Sequence, residues 1–138
     1  MSGPFSILRD RRILIVDDSV QITSLLDEVF TQCGSTVVTV NSGQDALGRL
    51  TANEYDLVIL DLVMPRPNGR DLLEFMHKTK PETLRRTLLL TGDKYHQISV
   101  SGVDASEINV IYKPFNISLL RAAAACRLVK NTGTLGAA

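Results

Sequence analysis

The segment Ile13-Leu14-Ile15-Val16-Asp17-Asp18-Ser19 is the most informative part of this sequence about its fold. Its first four residues are all branched aliphatic residues, which is typical of a strand buried on both faces of a parallel sheet. Two carboxylates and a serine follow at the point where such a strand must leave the sheet. The stretch therefore predicts a buried strand whose carboxyl end carries polar side chains.

Similar apolar runs recur along the chain and predict four more strands. These runs are Val37–Val40, Leu57–Leu60, Leu88–Leu90 and Val110–Tyr112. Segments with apolar residues at helical spacing lie between most of them. The segment between Asp93 and Ala105 is rich in poor helix formers, so a short or distorted fourth helix is expected there. The alternation predicts an α/β fold: a five-stranded parallel sheet with helices on both faces.

Single residues mark the ends of three helices. Gly34 is expected to end the first helix in the left-handed conformation. Ser42 and Asn116 are expected to cap the second and the last helix through their side-chain oxygens.

Length and composition fit one domain without a membrane segment. The chain has 138 residues, of which 44% are hydrophobic, and its 15 basic residues balance its 15 acidic ones. A neutral balance argues against a dedicated nucleic-acid binder. No apolar run approaches the roughly 20 residues that span a membrane, and no signal peptide is evident, so a cytoplasmic protein is expected. We expect the domain at residues 11–130, between tails at residues 1–10 and 131–138.

The residues that directly follow the predicted strands are candidates for the functional site, because ligands of open parallel sheets bind at the carboxyl ends of the strands. Asp17 and Asp18 follow the first strand, and Asp61 follows the third. Thr91 follows the fourth strand and Lys113 the fifth. Taken singly, each has an ordinary explanation as a helix cap, a turn residue or a solvated lysine. Their joint occurrence at four strand ends favours one site.

Three carboxylates at close quarters repel one another unless a cation is present. Mg²⁺ is the simplest choice, since it prefers carboxylate oxygens and no His or Cys stands beside the acids. With the ion bound, one carboxylate can attack phosphorus and form an acyl phosphate. The Lys113 ammonium and the Thr91 hydroxyl would then stabilise the phosphoryl oxygens.

The motif set resembles the receiver domain of response regulators, the phosphoacceptor domain of bacterial two-component signalling. It consists of Ile13–Ser19, Asp61–Pro65 with Asn68-Gly69, Thr91, and Lys113-Pro114-Phe115. Thr91 lies 30 residues and Lys113 52 residues after Asp61, spacings typical of that family. The resemblance covers roughly residues 11–130 and implies a flavodoxin-like sheet with the strand order 2-1-3-4-5.

The resemblance also implies roles for the acidic residues. Asp61 would be the phosphoacceptor, phosphorylated from a phosphohistidine of a sensor histidine kinase or a phosphotransfer protein. Asp18, Asp61 and the backbone carbonyl of Val63 would bind Mg²⁺ directly, and Asp17 would bind it through water.

Further implications concern the phosphoryl group and the output. Thr91 and Lys113 would contact the phosphoryl group, and the Lys113–Pro114 bond would be cis. The only chemistry would be self-catalysed transfer to Asp61 and hydrolysis from it. The output would be a changed binding surface, including homodimerisation through the fourth helix, fifth strand and fifth helix, with no direct nucleic-acid or membrane contact.

The chain departs from the family pattern at the switch position. Receivers usually carry an aromatic residue three positions before the lysine, where this chain has Val110. Tyr112 lies two residues further on the same strand face and is a substitute or a plain packing residue. Val63 and Asp93 are expected to influence the lifetime of the phosphorylated form.

Two other functions remain compatible with these residues. A pseudo-receiver would keep the fold and bind a partner without being phosphorylated, and the missing aromatic residue leaves that open. A Mg²⁺-dependent phosphohydrolase of the haloacid-dehalogenase type would need an acid two residues after Asp61, where Val63 stands.

Overall fold

A five-stranded parallel sheet forms the centre of the protein. The computed structural model describes residues 6–92 and 108–132, with side chains described to residue 129. The strands occur in the order β2-β1-β3-β4-β5. Their bounds are β1 Arg12–Val16, β2 Thr36–Val40, β3 Leu57–Asp61, β4 Thr87–Thr91 and β5 Asn109–Tyr112. The predicted strands and their order are confirmed, each strand being one or two residues longer than its apolar run.

Helices connect and cover the strands. Their bounds are α1 Val20–Gln32, α2 Gly43–Ala52, α3 Gly69–Thr79, α4 Pro81–Arg85 and α5 Ile117–Thr132. The one-turn α4 was not expected, because a single turn is too short to show helical periodicity; Pro81 stands at its start, where the missing N–H does no harm. The expected fourth helix between Asp93 and Ala105 falls on residues outside the described part of the chain.

Polar side chains cap the helices as the sequence indicated. The Ser42 hydroxyl accepts a hydrogen bond from the Asp45 N–H, and the Asn116 side chain accepts one from the Leu119 N–H. Gly34 adopts φ +88°, the left-handed conformation expected at the end of α1. The Ser42 and Asn116 caps fix where α2 and α5 begin, and Gly34 fixes where α1 ends.

The sheet is covered by apolar layers on both faces. Ile13 and Ile15 pack with α1 and α5, whereas Leu14 and Val16 pack with α2 and α3. This alternation follows from the two-residue period of a strand. In α1, Leu26, Val29 and Phe30 are buried, whereas the apolar residue Leu25 is exposed.

Part of the expected N-terminal tail is packed. Residues Ser6–Leu8 form a 3-10 helix, and Leu8 is fully buried. The Ser35 hydroxyl donates a hydrogen bond of 2.6 Å to the Leu8 carbonyl. Ile7 and Leu8 thus pack on the core from outside the predicted range 11–130. Two apolar residues in a short segment are too few to show a helical or strand period.

None of the helices in the described residues is long and apolar enough to cross a membrane.

Candidate functional site

The five predicted site residues lie at one edge of the sheet. Asp17 and Asp18 follow β1, and Asp61 is the last residue of β3. Thr91 ends β4, and the Lys113 N–H donates a 2.8 Å hydrogen bond to its carbonyl. The parallel arrangement thus brings residues from four strand ends to a common rim.

Three carboxylates form a compact cluster at this rim. One carboxylate oxygen from each of Asp17, Asp18 and Asp61 lies within 4.8 Å of the other two. Asp17 is 1% exposed and Asp61 4% exposed, whereas Asp18 is open to solvent. The cluster is therefore buried on one side and accessible on the other.

Lys113 places its ammonium group against the two buried acids. Its Nζ lies 2.8 Å from Asp17 Oδ2 and 3.4 Å from Asp61 Oδ2. Burial lowers the pKa of Lys113, but the hydrogen bond with Asp17 and the charges of Asp61 and Asp17 outweigh it, so that the pKa is raised above its ordinary value. The lysine is therefore a fixed positive charge at neutral pH.

Asp61 has an environment that opposes its ionisation. Burial, followed by the negative charge of Asp17, raises the pKa of Asp61 to about 6. Lys113 and the Val63 N–H, which donates a 3.1 Å hydrogen bond to Asp61 Oδ1, act in the opposite direction. A carboxylate crowded by another acid is one that gains from binding a cation.

Asn41, to which the sequence analysis gave no role, holds the turn that carries Asp17 and Asp18. Asn41, directly after β2, donates through Nδ2 to the Asp17 carbonyl at 2.9 Å and to Thr23 Oγ1 at 3.0 Å. The Ser19 N–H donates to Asp17 Oδ1 at 2.9 Å. A single polar residue after an edge strand gives no sequence signal for such contacts.

Glycines allow the loop after β3 to approach the site closely. A Cβ atom on Gly69 would lie 2.6 Å from the Leu62 Cα and 2.8 Å from the Asp61 carbonyl oxygen. A Cβ atom on Gly43 would lie 1.8 Å from the Pro67 carbonyl oxygen. These two helix starts therefore pack against the β3–α3 loop in a way that only glycine permits.

The expected switch positions lie beside the rim. Val110 is partly buried and packs on the apolar core between the sheet and helices α2 and α3. Tyr112 is 41% exposed and pairs in register with Thr91 of β4. Val63 is 60% exposed. The Lys113–Pro114 peptide bond is cis, as the resemblance implied. Asp93 lies outside the described residues.

The chemistry of the cluster suits a hard divalent cation. It offers only carboxylate oxygens, the ligands that Mg²⁺ prefers, and no His or Cys belongs to it in the described ranges. The arrangement can therefore bind an oxygen-seeking cation and present a carboxylate beside a fixed ammonium group.

Comparisons with known proteins place these features in a family. The family model for the response regulator receiver domain matches residues 13–125. The transcriptional regulatory protein TcrA of Mycobacterium tuberculosis is 32% identical over 109 residues, which are 79% of this chain and 42% of TcrA. The chain thus spans less than half the length of this curated relative.

Solved structures show the same fold. The signal receiver domain of an HD domain-containing protein from Pseudomonas fluorescens Pf-5 has a TM-score of 0.80 and 28% identity, over 91% of this chain and 99% of that one. The response regulator TrrA of Thermotoga maritima, solved in complex with Mg²⁺ and BeF, has a TM-score of 0.73 and 30% identity, over 85% of this chain and 98% of its own.

Proposed function

Because this chain belongs to the response regulator receiver family of two-component systems, we propose that Asp61 is its phosphoacceptor. The observation that carries this proposal is the position of Lys113 Nζ, 2.8 Å from Asp17 and 3.4 Å from Asp61. The Lys113 ammonium group lies between the buried carboxylates of Asp17 and Asp61. It therefore stands where the negative charge of a phosphoryl group added to Asp61 would develop.

The acidic cluster would hold Mg²⁺. Asp18, Asp61 and the Val63 carbonyl would be direct ligands, and Asp17 would contact the ion through water. When bound, the ion supplies positive charge that offsets the repulsion between the carboxylates and the incoming phosphoryl oxygens. Carboxylate oxygens within 4.8 Å of one another support this assignment.

The transfer step requires little from the protein beyond positioning and charge. A carboxylate oxygen of Asp61 attacks the phosphorus of a phosphohistidine, on a sensor histidine kinase or a phosphotransfer protein. The O–P bond forms as the P–N bond breaks, and the bonding electron pair returns to the imidazole. The Lys113 ammonium and the Thr91 hydroxyl stabilise the phosphoryl oxygens. Water later attacks the phosphorus, the bond between the Asp61 carboxylate oxygen and phosphorus breaks, and inorganic phosphate leaves.

The phosphoryl group would act by shifting a conformational equilibrium. Moving a population from 1:99 to 99:1 requires about 5.5 kcal/mol of differential binding. Charge-assisted hydrogen bonds from Lys113 and Thr91 to a phosphoryl group are of the strength such a shift needs. We assign the output to the surface around β5 and α5, through which a homodimer or another partner would bind in the cytoplasm.

Two rival functions are less well supported. A pseudo-receiver does not need an ammonium group between two acids. This chain has one, because Lys113 lies between Asp17 and Asp61. A phosphohydrolase of the haloacid-dehalogenase type needs an acid two residues after Asp61, and the exposed aliphatic Val63 cannot transfer a proton there.

The test is phosphorylation by a small-molecule donor. The protein is incubated with acetyl phosphate and Mg²⁺, and its intact mass is measured. One added phosphoryl group is expected, and it should be lost in Asp61→Asn and on removal of Mg²⁺ by a chelator. No added mass would support the pseudo-receiver, and turnover of a phosphate ester would support the phosphohydrolase.

A further inference from the structure

The peptide plane between Asp17 and Asp18 sets the direction of the Asp18 side chain. Asp18 is the exposed member of the acidic cluster. In the described ranges, no hydrogen bond or ion pair of the protein holds its carboxylate. Its position therefore depends on the backbone that precedes it, namely on the orientation of the Asp17 carbonyl and the Asp18 N–H.

Asn41 fixes that peptide plane from outside the turn. Its Nδ2 donates to the Asp17 carbonyl at 2.9 Å. The same nitrogen donates to Thr23 Oγ1 at 3.0 Å, and the Thr23 hydroxyl donates to the Val20 carbonyl at 3.2 Å. Thr23 is buried, so this second contact ties the amide to the first turn of α1. One side chain thus connects the ends of β1 and β2 with the start of α1.

The other contacts of this turn hold the N–H and the carboxylate of Asp17 rather than its carbonyl. The Asp17 N–H donates to the Val40 carbonyl at 3.3 Å, and its carboxylate accepts from the Ser19 N–H and from Lys113. Without Asn41, the Asp17 carbonyl would lose its side-chain donor at the peptide bond that leads to Asp18. Groups that orient metal ligands from behind typically change metal affinity by tenfold or more when removed.

We propose that Asn41 is a positioning residue for the cation site, and that it acts by orienting the Asp17–Asp18 peptide so that the Asp18 carboxylate faces the site. This inference rests on the proposed function of the acidic cluster. Asn41 would raise the affinity for Mg²⁺, and it would not contact the phosphoryl group directly.

The test measures Mg²⁺ binding by calorimetry in Asn41→Ala, with Asn53→Ala as the matched control. Asn53 Nδ2 also donates to a backbone carbonyl, that of Arg49, but at the far end of α2. We expect the Kd for Mg²⁺ to rise roughly tenfold in Asn41→Ala and to stay unchanged in Asn53→Ala. Thr23→Val removes the second acceptor of Asn41 together with the hydrogen bond to the Val20 carbonyl, but it keeps the contact of Asn41 with the Asp17 carbonyl, and it should give a smaller rise.

A second measurement separates positioning from general destabilisation. Urea unfolding without Mg²⁺ reports folding stability, and amide hydrogen exchange reports how well the Ser19 N–H is held to Asp17 Oδ1. Faster exchange at Ser19 together with the weaker binding would support the proposal. An unchanged Kd in Asn41→Ala, or an equal rise in Asn53→Ala, would overturn it. A wild-type protein that binds no Mg²⁺ would instead overturn the proposed function of the cluster.

Discussion

Lys113 Nζ lies 2.8 Å from Asp17 Oδ2 and 3.4 Å from Asp61 Oδ2, although 96 and 52 residues separate the lysine from these acids. The contact exists because β5 and β1 end at the same edge of one parallel sheet. The ammonium partly neutralises two buried carboxylates, yet the pKa of Asp61 stays raised. The site is therefore a locally unfavourable arrangement of charge, which binding of a cation would relieve.

Replacing Asp61 with asparagine should stabilise the cation-free protein at neutral pH. Burial and the charge of Asp17 raise the pKa of Asp61 from 3.8 to about 6. The stability that the raised pKa contributes is present below about pH 4 and is lost as the pH rises through about 6. At pH 7.5, Asp61→Asn should therefore unfold at higher urea, with a gain of about 2 kcal/mol. A gain at pH 4.5 as large as that at pH 7.5 would contradict this explanation.

Removing the ammonium group should have the opposite effect. Lys113→Met leaves the carboxylates of Asp17 and Asp61 without their cation, and we expect a loss of about 1 to 2 kcal/mol in urea unfolding at pH 7.5 without Mg²⁺. The expected loss is smaller than that of a fully buried pair because the lysine side chain is 24% exposed and solvent screens its charge. Added Mg²⁺ should restore part of the loss. Equal stability of variant and wild type would show that the ion pair contributes nothing.

Two glycines of α2 offer a matched pair of substitutions. A Cβ atom on Gly43 would lie 1.8 Å from the Pro67 carbonyl oxygen, whereas one on Gly48 would meet nothing within 4 Å. Gly43→Ala should destabilise the protein by about 2 kcal/mol because the β3–α3 loop must move. Gly48→Ala should stabilise it by about 0.5 to 1 kcal/mol through helix propensity. The free energy of unfolding of both variants is measured by heat or urea. A loss of stability in both would show that the contact of Gly43 with Pro67 does not explain the effect.

Val63 should influence the lifetime of the phosphorylated form. Its side chain is 60% exposed two residues after Asp61, and valine cannot hydrogen-bond an attacking water. Val63→Asn supplies a polar group at this position and should accelerate dephosphorylation several-fold, as measured by loss of the added mass after the donor is removed. Val63→Ile, which keeps the apolar character, should leave the rate close to that of the wild type. An equal rate in the asparagine variant would rule out water placement by residue 63.

The sequence was sufficient to predict the sheet and the clustering of acidic residues and a lysine at one edge of it. Buried parallel strands appear as continuous aliphatic runs, and the residues after them must share one edge, which is why Asp17, Asp61 and Lys113 could be brought together before any coordinates. Residues with isolated signals were missed. Leu8 packs in the core from a segment too short to show a period, and α4 is a single turn.

Other features depend on distances that no sequence pattern encodes. The two hydrogen bonds of Asn41 depend on where the edge strand ends relative to the turn after β1. The raised pKa of Asp61 depends on how deeply the carboxylate is buried and on its separation from Asp17 and Lys113. Residue type alone predicts neither property.

Phosphoryl transfer is proposed to occur at residue 61, and the modified residue can be identified chemically. Borohydride reduces an aspartyl phosphate to homoserine, so treating the protein with acetyl phosphate and Mg²⁺, followed by borohydride and peptide mass mapping, reports the modified position. We expect homoserine at residue 61, dependent on both donor and Mg²⁺. Homoserine at another aspartate, or none under conditions where intact mass shows a phosphoryl group, would contradict it.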